Sequence, residues 1–240
     1  MRSPRGQFGV DAPSVLLGLT SGATTQVAIA VVAFVLGWWI VGLVFLLTGA
    51  YTAASAASYA YTTLRGKFTV WSAELDAAAP PASALTLDLG TGRGLVLIAT
   101  ALRTPAGRST GIDLWRTVDQ SGNAESATLA NAAANGVEVT LTTGDIRALP
   151  YPDDSFDLVT SALAIHNIPS ADDRATAVTE ALRVLRPGGQ LLLADILHTA
   201  AYAATLRTAG ATEVRVRDLG WRYWYGGPWT ATRMVEAGKP

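Results

Sequence analysis

The segment Asp88-Leu89-Gly90-Thr91-Gly92-Arg93-Gly94 brings together residue types that can hold a bound small molecule. Glycine permits positive φ and lets a ligand approach the backbone, and the N-terminus of a following helix favours an anionic group. The spacing is GxGxG. Leu95 stands where the dinucleotide fingerprint GxGxxG needs glycine, which argues against an NAD-dependent dehydrogenase. Asp113 lies nineteen residues beyond Gly94, where an acidic side chain can accept hydrogen bonds from ribose hydroxyls. Together these residues point to a nucleoside-containing ligand. Further along, Ser161-Ala162-Leu163-Ala164-Ile165-His166-Asn167 holds one of only two histidines, and imidazole suits proton removal near neutral pH. His166 is therefore a candidate general base, with Asn167 beside it as a candidate substrate contact. The competing reading has Asn167 or Ser170 capping a helix that begins near Asp172, with His166 bonded to backbone. His198 reads as structural. Two histidines without any cysteine make a poor metal site, so no metal is expected.

Short apolar runs alternate with helical stretches from about residue 68 onward. The pattern gives strands at 84–89, 109–113, 137–142, 155–161 and 189–195, and helices at 94–103, 121–134, 172–185 and 199–209. Such alternation predicts an α/β fold: a mostly parallel sheet with helices on both faces and ligands at the C-terminal strand ends where strand order reverses. Residues 213–217 and 231–237 alternate and are joined through Gly226-Gly227-Pro228, which predicts an antiparallel pair at one edge. Asp119-Gln120-Ser121-Gly122-Asn123 reads either as a loop over the ligand or as a helix start capped by Asp119 or Ser121. The run from Trp221 to Trp229 packs five aromatics into nine residues. Sheet-edge packing is the default reading of that run, and anchoring at a membrane interface is the sharper one.

At this point the sequence resembles the class I S-adenosylmethionine-dependent methyltransferases. LDLGTGRG (87–94), GIDLW (111–115), GDIRALPYPDDSFDLV (144–159) and LRVLRPGGQLLLAD (182–195) look like four of that family's motifs in the family's order. The resemblance covers roughly residues 84–238 and implies a Rossmann-like methyltransferase sheet with S-adenosyl-L-methionine as cofactor. Carried over by position, it implies Gly90, Thr91, Gly92 and Gly94 around the methionine part, with Asp88 supporting that loop. It implies Asp113 on the ribose, Leu114 near the adenine, Asp145 accepting from the adenine amino group, Ile146 against the ring, and Ser161 among the cofactor contacts. Asp145 also reads simply as a turn residue after Gly144. The nearest flavour is the subgroup acting on quinone rings and other small or lipid-soluble acceptors, and that resemblance does not explain the N-terminus.

There, no Asp, Glu, Lys or Arg occurs between Asp11 and Arg65. As one helix the stretch would run about 80 Å, against a bilayer core of about 30 Å. A transmembrane hairpin fits better, with helices at about 14–36 and 40–63, Gly37-Trp38-Trp39 at the turn, and Gly49, Ala50, Ala53, Ala54 and Ala57 allowing close contact. The rivals are a single span at 28–47 and, last, a signal peptide ending near Ala54-Ser55-Ala56. Arg2 and Arg5 on one flank with Arg65 and Lys67 on the other imply an even number of crossings. The domain division is a 1–66 membrane anchor and a 67–240 methyltransferase domain facing the cytoplasm, where the cofactor is made. Hydrophobic residues make up 50% of the chain, charged ones only 15%, and the net charge is −1, which favours a lipid bilayer partner and excludes a nucleic-acid footprint. The expected acceptor is a small, lipid-soluble molecule. A soluble metabolite, and a tethered protein that binds the cofactor without turnover, are the alternatives; homo-oligomerisation through the hairpin is compatible with all three.

Overall fold

The computed structural model describes residues 4–117 and 120–240. Val118 and Asp119 lie outside them, so the expectation for Asp119 falls outside the described residues. Seven strands form one sheet in the order β3-β2-β1-β4-β5-β7-β6. They span β1 Leu85–Leu89, β2 Arg108–Asp113, β3 Thr140–Thr143, β4 Phe156–Ala162, β5 Leu185–Asp195, β6 Thr212–Asp218 and β7 Arg233–Gly238. The first five run parallel; β7 pairs antiparallel with both β5 and β6, as the alternating pattern near the C-terminus requires. Strand order reverses between β1 and β4, and this is the switch point that the α/β alternation anticipates.

Central strands are covered on both faces, so even their polar residues Thr86, Asp88, Thr110 and Thr160 are buried. Leu191, Leu193 and Val235 join α6 (Ala171–Val184) and α7 (Thr199–Thr208) in one core cluster, while Leu192 and Met234 join α3 (Lys67–Ala78) and α4 (Leu95–Ala101) in the other. Every residue of α4 is buried, so LVLIATA shows no polar stripe. Three starts differ from expectation by three residues or more. Helix α5 (Glu125–Ala134) begins late, because Gly122 at φ 64° turns the preceding loop, and β3 begins at Thr140 rather than 137. Strand β5 begins at Leu185, extended through a register shift opposite Phe156 and Leu158.

The apolar stretch forms two antiparallel helices, α1 (Pro13–Val35) and α2 (Trp39–Tyr61), and Gly37 at φ 78° makes the turn. Both are long and apolar enough to cross a membrane. The seam between them is built from small residues in steps of seven: Ala23 and Ala30 on α1, and Gly42, Gly49 and Ala56 on α2. Seven residues make nearly two turns and keep these positions on one stripe. Of the small residues expected at this contact, only Gly49 is there; Ala50, Ala53, Ala54 and Ala57 face outward, because the stripe follows the heptad and not the local alanine density. Apolar bulk faces outward too, with Ile40 83% and Leu47 61% exposed. Hydroxyls on these helices bond to carbonyls one turn back, as Thr20 does to Leu16 and Thr48 to Val44, so they do not require water.

Helix α2 continues through a single π-helical turn, Thr62–Gly66, directly into α3, so no break marks the passage from hairpin to sheet domain. A Cβ added to Gly49 would meet Val27 Cγ2 at 3.1 Å and Gln26 Cβ at 3.3 Å. Gly49→Leu should force the helices apart and cost about 1–3 kcal/mol, seen as a lower thermal midpoint in detergent, whereas Ala53→Leu on the outer face should leave the midpoint unchanged.

Candidate active site

A cavity of about 590 Å³ opens at the C-terminal strand ends, within the range of small-molecule sites. One half is made by the sheet. The backbone N–H groups of Gly90 and Thr91 both donate to the Ile112 carbonyl (2.9 and 3.2 Å), which pins the loop after β1 onto β2. Asp88 lies beneath that loop and accepts from the Thr91 and Thr160 hydroxyls (2.9 and 2.7 Å). Burial pushes its carboxyl up to about 7, because two neutral hydroxyls do not offset the loss of water. Asp113 ends β2, accepting from Gly92 N (2.7 Å), Trp115 N (2.6 Å) and Asn123 Nδ2 (3.3 Å). A carboxylate offers about four lone-pair positions, so about one remains for a ligand. Asp145, Leu114 and Ile146 line the same half. Arg147 clamps Asp145 through Nε and Nη2 (3.0 and 2.6 Å) and holds its carboxyl below the usual carboxylate range.

Two expected contacts do not line the cavity. Ser161 is buried and spends its hydroxyl on the Leu89 carbonyl (3.1 Å), stitching β4 to β1. Gly94 caps α4 at φ 83° and leaves room for the Thr128 methyl, so its glycine serves helix packing. Ser121 is not the cap of α5; its Oγ instead accepts from Val10 N (3.0 Å). Gln120 lies over the glycine loop, its Oε1 accepting from Arg93 N (2.9 Å).

The other half is walled by elements outside the sheet. Asp11 and Ala12 come from the chain entering α1, Val15 from the first turn of α1, Tyr59 from the end of α2, Lys67 and Trp71 from α3, and Tyr223, Tyr225 and Thr230 from the C-terminal aromatic segment. Asp11 joins them. Its carboxylate accepts from Lys67 Nζ (2.9 and 2.8 Å), Tyr225 Oη (2.7 Å), Thr63 Oγ1 (3.0 Å) and Gln120 Nε2 (3.0 Å), while its carbonyl accepts from Tyr59 Oη (2.8 Å). Burial alone would raise the Asp11 carboxyl; the Lys67 charge and the hydrogen bonds outweigh it and hold the carboxyl below its ordinary value. Burial and the Asp11 charge together push the Tyr225 phenol well up. Lys67 is only 4% exposed, so it is this ion pair's partner and not a free flanking charge; Arg65 remains exposed. The run 221–229 does not pack on the sheet edge. Trp221 stacks on Tyr61, Tyr225 meets Tyr59 edge-on and Trp229 lies against Tyr51, with centroids 5.2, 5.1 and 5.6 Å apart. Gly66 permits this approach, since a side chain there would strike the Arg222 carbonyl.

The entering arm, residues 4–12, is strapped to α5. Asn135 exchanges hydrogen bonds with the backbone of Arg5 (2.8 and 2.6 Å), and Asn131 does so with Gln7 (2.9 and 3.0 Å). Four helical residues rise about 6 Å and two extended ones about 6.6 Å, so one helix face can read alternate positions of an extended chain.

His166 lines the cavity from a short 3₁₀ turn, Ile165–Asn167, at the end of β4. Behind it stands Asp195, the last residue of β5 and 2% exposed. Nδ1 of His166 is 2.7 Å from Asp195 Oδ1, in a bent contact outside hydrogen-bond angles. Asn167 also lines the cavity and donates to the Leu163 carbonyl (3.3 Å). Ser170 is the cap of α6, accepting from Asp173 N (3.4 Å). His198 is exposed at the start of α7, and no group of metal-ligating side chains occurs among the described residues.

Sheet order and cavity define a Rossmann-like methyltransferase fold. Residues 87–193 match the family model described as a methyltransferase domain. Curated relatives include a ubiquinone/menaquinone biosynthesis C-methyltransferase of Roseobacter denitrificans, 34% identical over 123 residues (51% of this chain, 46% of the relative). A demethylmenaquinone methyltransferase of Roseiflexus castenholzii is 32% identical over 142 residues (57% and 55%). The chain spans about half the length of these relatives. Among solved structures, a SAM-dependent methyltransferase from Aquifex aeolicus superposes with a TM-score of 0.55 at 18% identity, covering 70% of this chain and 88% of that one. The [4+2]-cyclase SpnF does so at 0.56 and 21% identity, covering 70% and 80%. Fold alone therefore does not fix chemistry. Residues 87–193 are thus similar to methyltransferase domains and distantly to quinone methyltransferases, within a sheet that shares the fold of a SAM-dependent methyltransferase, a class whose methyl donor is S-adenosylmethionine.

Two outcomes follow from the charges. Asp11→Asn or Lys67→Met strands a buried charge and should cost about 3–5 kcal/mol in thermal or denaturant unfolding, while the double variant should recover part of the loss. Asp88 retains its proton in the folded protein up to about pH 7 but loses it near 4 when unfolded, so its ionisation erodes stability as pH rises between those values. Relative to wild type, Asp88→Asn should gain stability from about pH 4 to about pH 7 and level off above, in melting curves across that range.

Proposed function

We propose that this protein is a membrane-anchored S-adenosylmethionine-dependent methyltransferase acting on a small, lipid-soluble acceptor. The observation that carries the reading is the composition of the cavity: one half is formed by strand ends, the other by the foot of an outwardly apolar hairpin. Relatives that are named for quinone methylation add support for a quinone-like ring or prenylated phenol.

The residues present fit the cofactor. Asp113 keeps an acceptor position for vicinal hydroxyls, Leu114 and Ile146 offer apolar surface for a purine, and Asp145 can accept from an exocyclic amine. Gly90 and Gly92, both at positive φ, line the cavity where the methionine part would lie, and a side chain on either would strike Ala164 or Gln120 and distort the loop. When bound, the cofactor supplies a methyl group on a sulfonium, a leaving group that is already activated. The protein's task is then to hold the acceptor in line, about 3 Å from that methyl, away from water. His166 serves as base where the acceptor must lose a proton, and Asn167 contacts the acceptor.

Both ends of the hairpin meet at the Asp11–Lys67 pair, so arm and catalytic domain lie on one side of it. That supports two crossings with the domain in the cytoplasm, where the donor is made. Confinement to the bilayer surface raises the effective concentration of a lipid-dissolved acceptor.

Asp113→Ala should weaken S-adenosylhomocysteine binding by calorimetry at least about tenfold, since a buried charge-assisted hydrogen bond contributes about 1.5–3 kcal/mol. Lipid extracts from cells with and without the gene should differ by a species heavier by one methyl group. A change confined to a soluble metabolite would contradict the lipid acceptor.

A further inference from the structure

We propose that Asp195 is a positioning residue: it holds the His166 imidazole with its proton on Nδ1, so that Nε2 faces the cavity as the proton acceptor for an acidic hydroxyl on the methyl acceptor. This rests on the methyltransferase reading above and specifies its chemistry.

The carboxylate is fixed before it meets the ring. Asp195 pairs with Arg233 in the sheet, and its Oδ1 accepts from Ile196 N (2.8 Å). Its Oδ2 accepts from the backbone N–H of His166 (3.1 Å) and from Tyr202 Oη (3.2 Å). One carboxylate thus bonds the main chain of His166 and also lies 2.7 Å from Nδ1 of its ring. The loop that carries the ring is pinned independently, because Leu163 N donates to the Ala194 carbonyl (2.9 Å) on β5. Nδ1 is buried against the carboxylate, while the ring as a whole lines the cavity at 17% exposure, so its accessible edge is the Nε2 side. Only an Nδ1–H tautomer avoids setting a lone pair against Asp195. Bent contacts of this kind tighten when a substrate loads the ring.

A dyad of this form has a purpose only if a proton leaves as the methyl bond forms. A neutral amine or thioether attacks through a free lone pair and needs no base beforehand. A hydroxyl on, or conjugated to, the reacting atom does need one. Its proton passes to Nε2, and the electron pair released forms the bond to the methyl carbon. The carbon–sulfur pair leaves with sulfur as a neutral thioether. The histidinium, stabilised by the adjacent Asp195 carboxylate, then returns its proton to water.

With only two histidines in the chain, ¹⁵N imidazole spectra of the full protein in nanodiscs are directly interpretable, and His198→Gln assigns the second signal. The expected wild-type spectrum has His166 protonated at Nδ1 and bare at Nε2. Asp195→Asn should shift that tautomer balance while S-adenosylhomocysteine affinity, read by calorimetry, stays within about twofold; methyl transfer to a lipid extract should fall roughly 10²–10⁴-fold. An Nε2–H tautomer in the wild type overturns the proposal without any variant having to fold. Unchanged turnover in an Asp195→Asn protein that still binds S-adenosylhomocysteine overturns it as well. An Nδ1–H wild type that methylates no lipid and no soluble metabolite would uphold the positioning and defeat the methyltransferase reading instead.

Discussion

One carboxylate, Asp11, gathers the foot of the hairpin onto the sheet domain at the point where α2 runs on into α3. It gathers donors from the π-helical turn, α3, the loop over the glycine segment and the C-terminal aromatic run. Removing a carboxylate and an ammonium from water costs several kcal/mol each, so such a pair is stabilising only when both are fully satisfied. Here Lys67 gives two bonds and Asp11 receives four kinds of donor, which meets that condition. The π-helical turn at Thr62–Gly66 contributes by adding one residue to the helical repeat, which changes the angle at which Lys67 leaves the helix. The Asp11 contacts add to the unbroken run of α2 into α3 and to the aromatic packing of residues 221–229 on α2, and together these wall the second half of the cavity.

The two halves of the cavity are built on different principles. The sheet half uses strand ends, a glycine loop and acidic residues at the ends of β1 and β2 and just after β3. It can be assembled by local sequence, and many chemistries share it. The other half depends on contacts between segments far apart in sequence. Gln120 links the halves, accepting from Arg93 in the glycine loop and donating to Asp11. The chain entering α1 is therefore linked through Gln120 to the glycine loop.

This division also explains what is legible in the sequence. The sheet, its antiparallel edge and the hairpin limits are legible because each follows from a local period: strand runs, helical spacing, and an uncharged stretch too long for one crossing. Gly90, Gly92 and Asp113 are legible as well, since one loop and one strand end carry them. Asp11 is not. Alone before an apolar stretch it reads as a flanking charge, and its partners lie 52, 56, 109 and 214 positions away. Lys67 misleads for the same reason, reading as a cytoplasmic flank although it is buried. Asp195 sits at the end of a motif with no local sign that it faces His166 from the neighbouring strand. The aromatic run reads as strand by its propensity, whereas its partners are Tyr51, Tyr59 and Tyr61 on a helix. In Ser161 and Gly94 motif position suggests ligand contact, and packing takes both.

Hydrogen exchange in nanodiscs tests most directly whether hairpin foot and catalytic domain are one unit. If they are, amides in residues 8–12, 59–67 and 223–231 share one slow opening in the wild type, and all three lose protection together in Asp11→Asn while β1 and β4 stay protected. Independent opening of these three segments in the wild type, with the arm exchanging freely beside a protected sheet, would contradict the account.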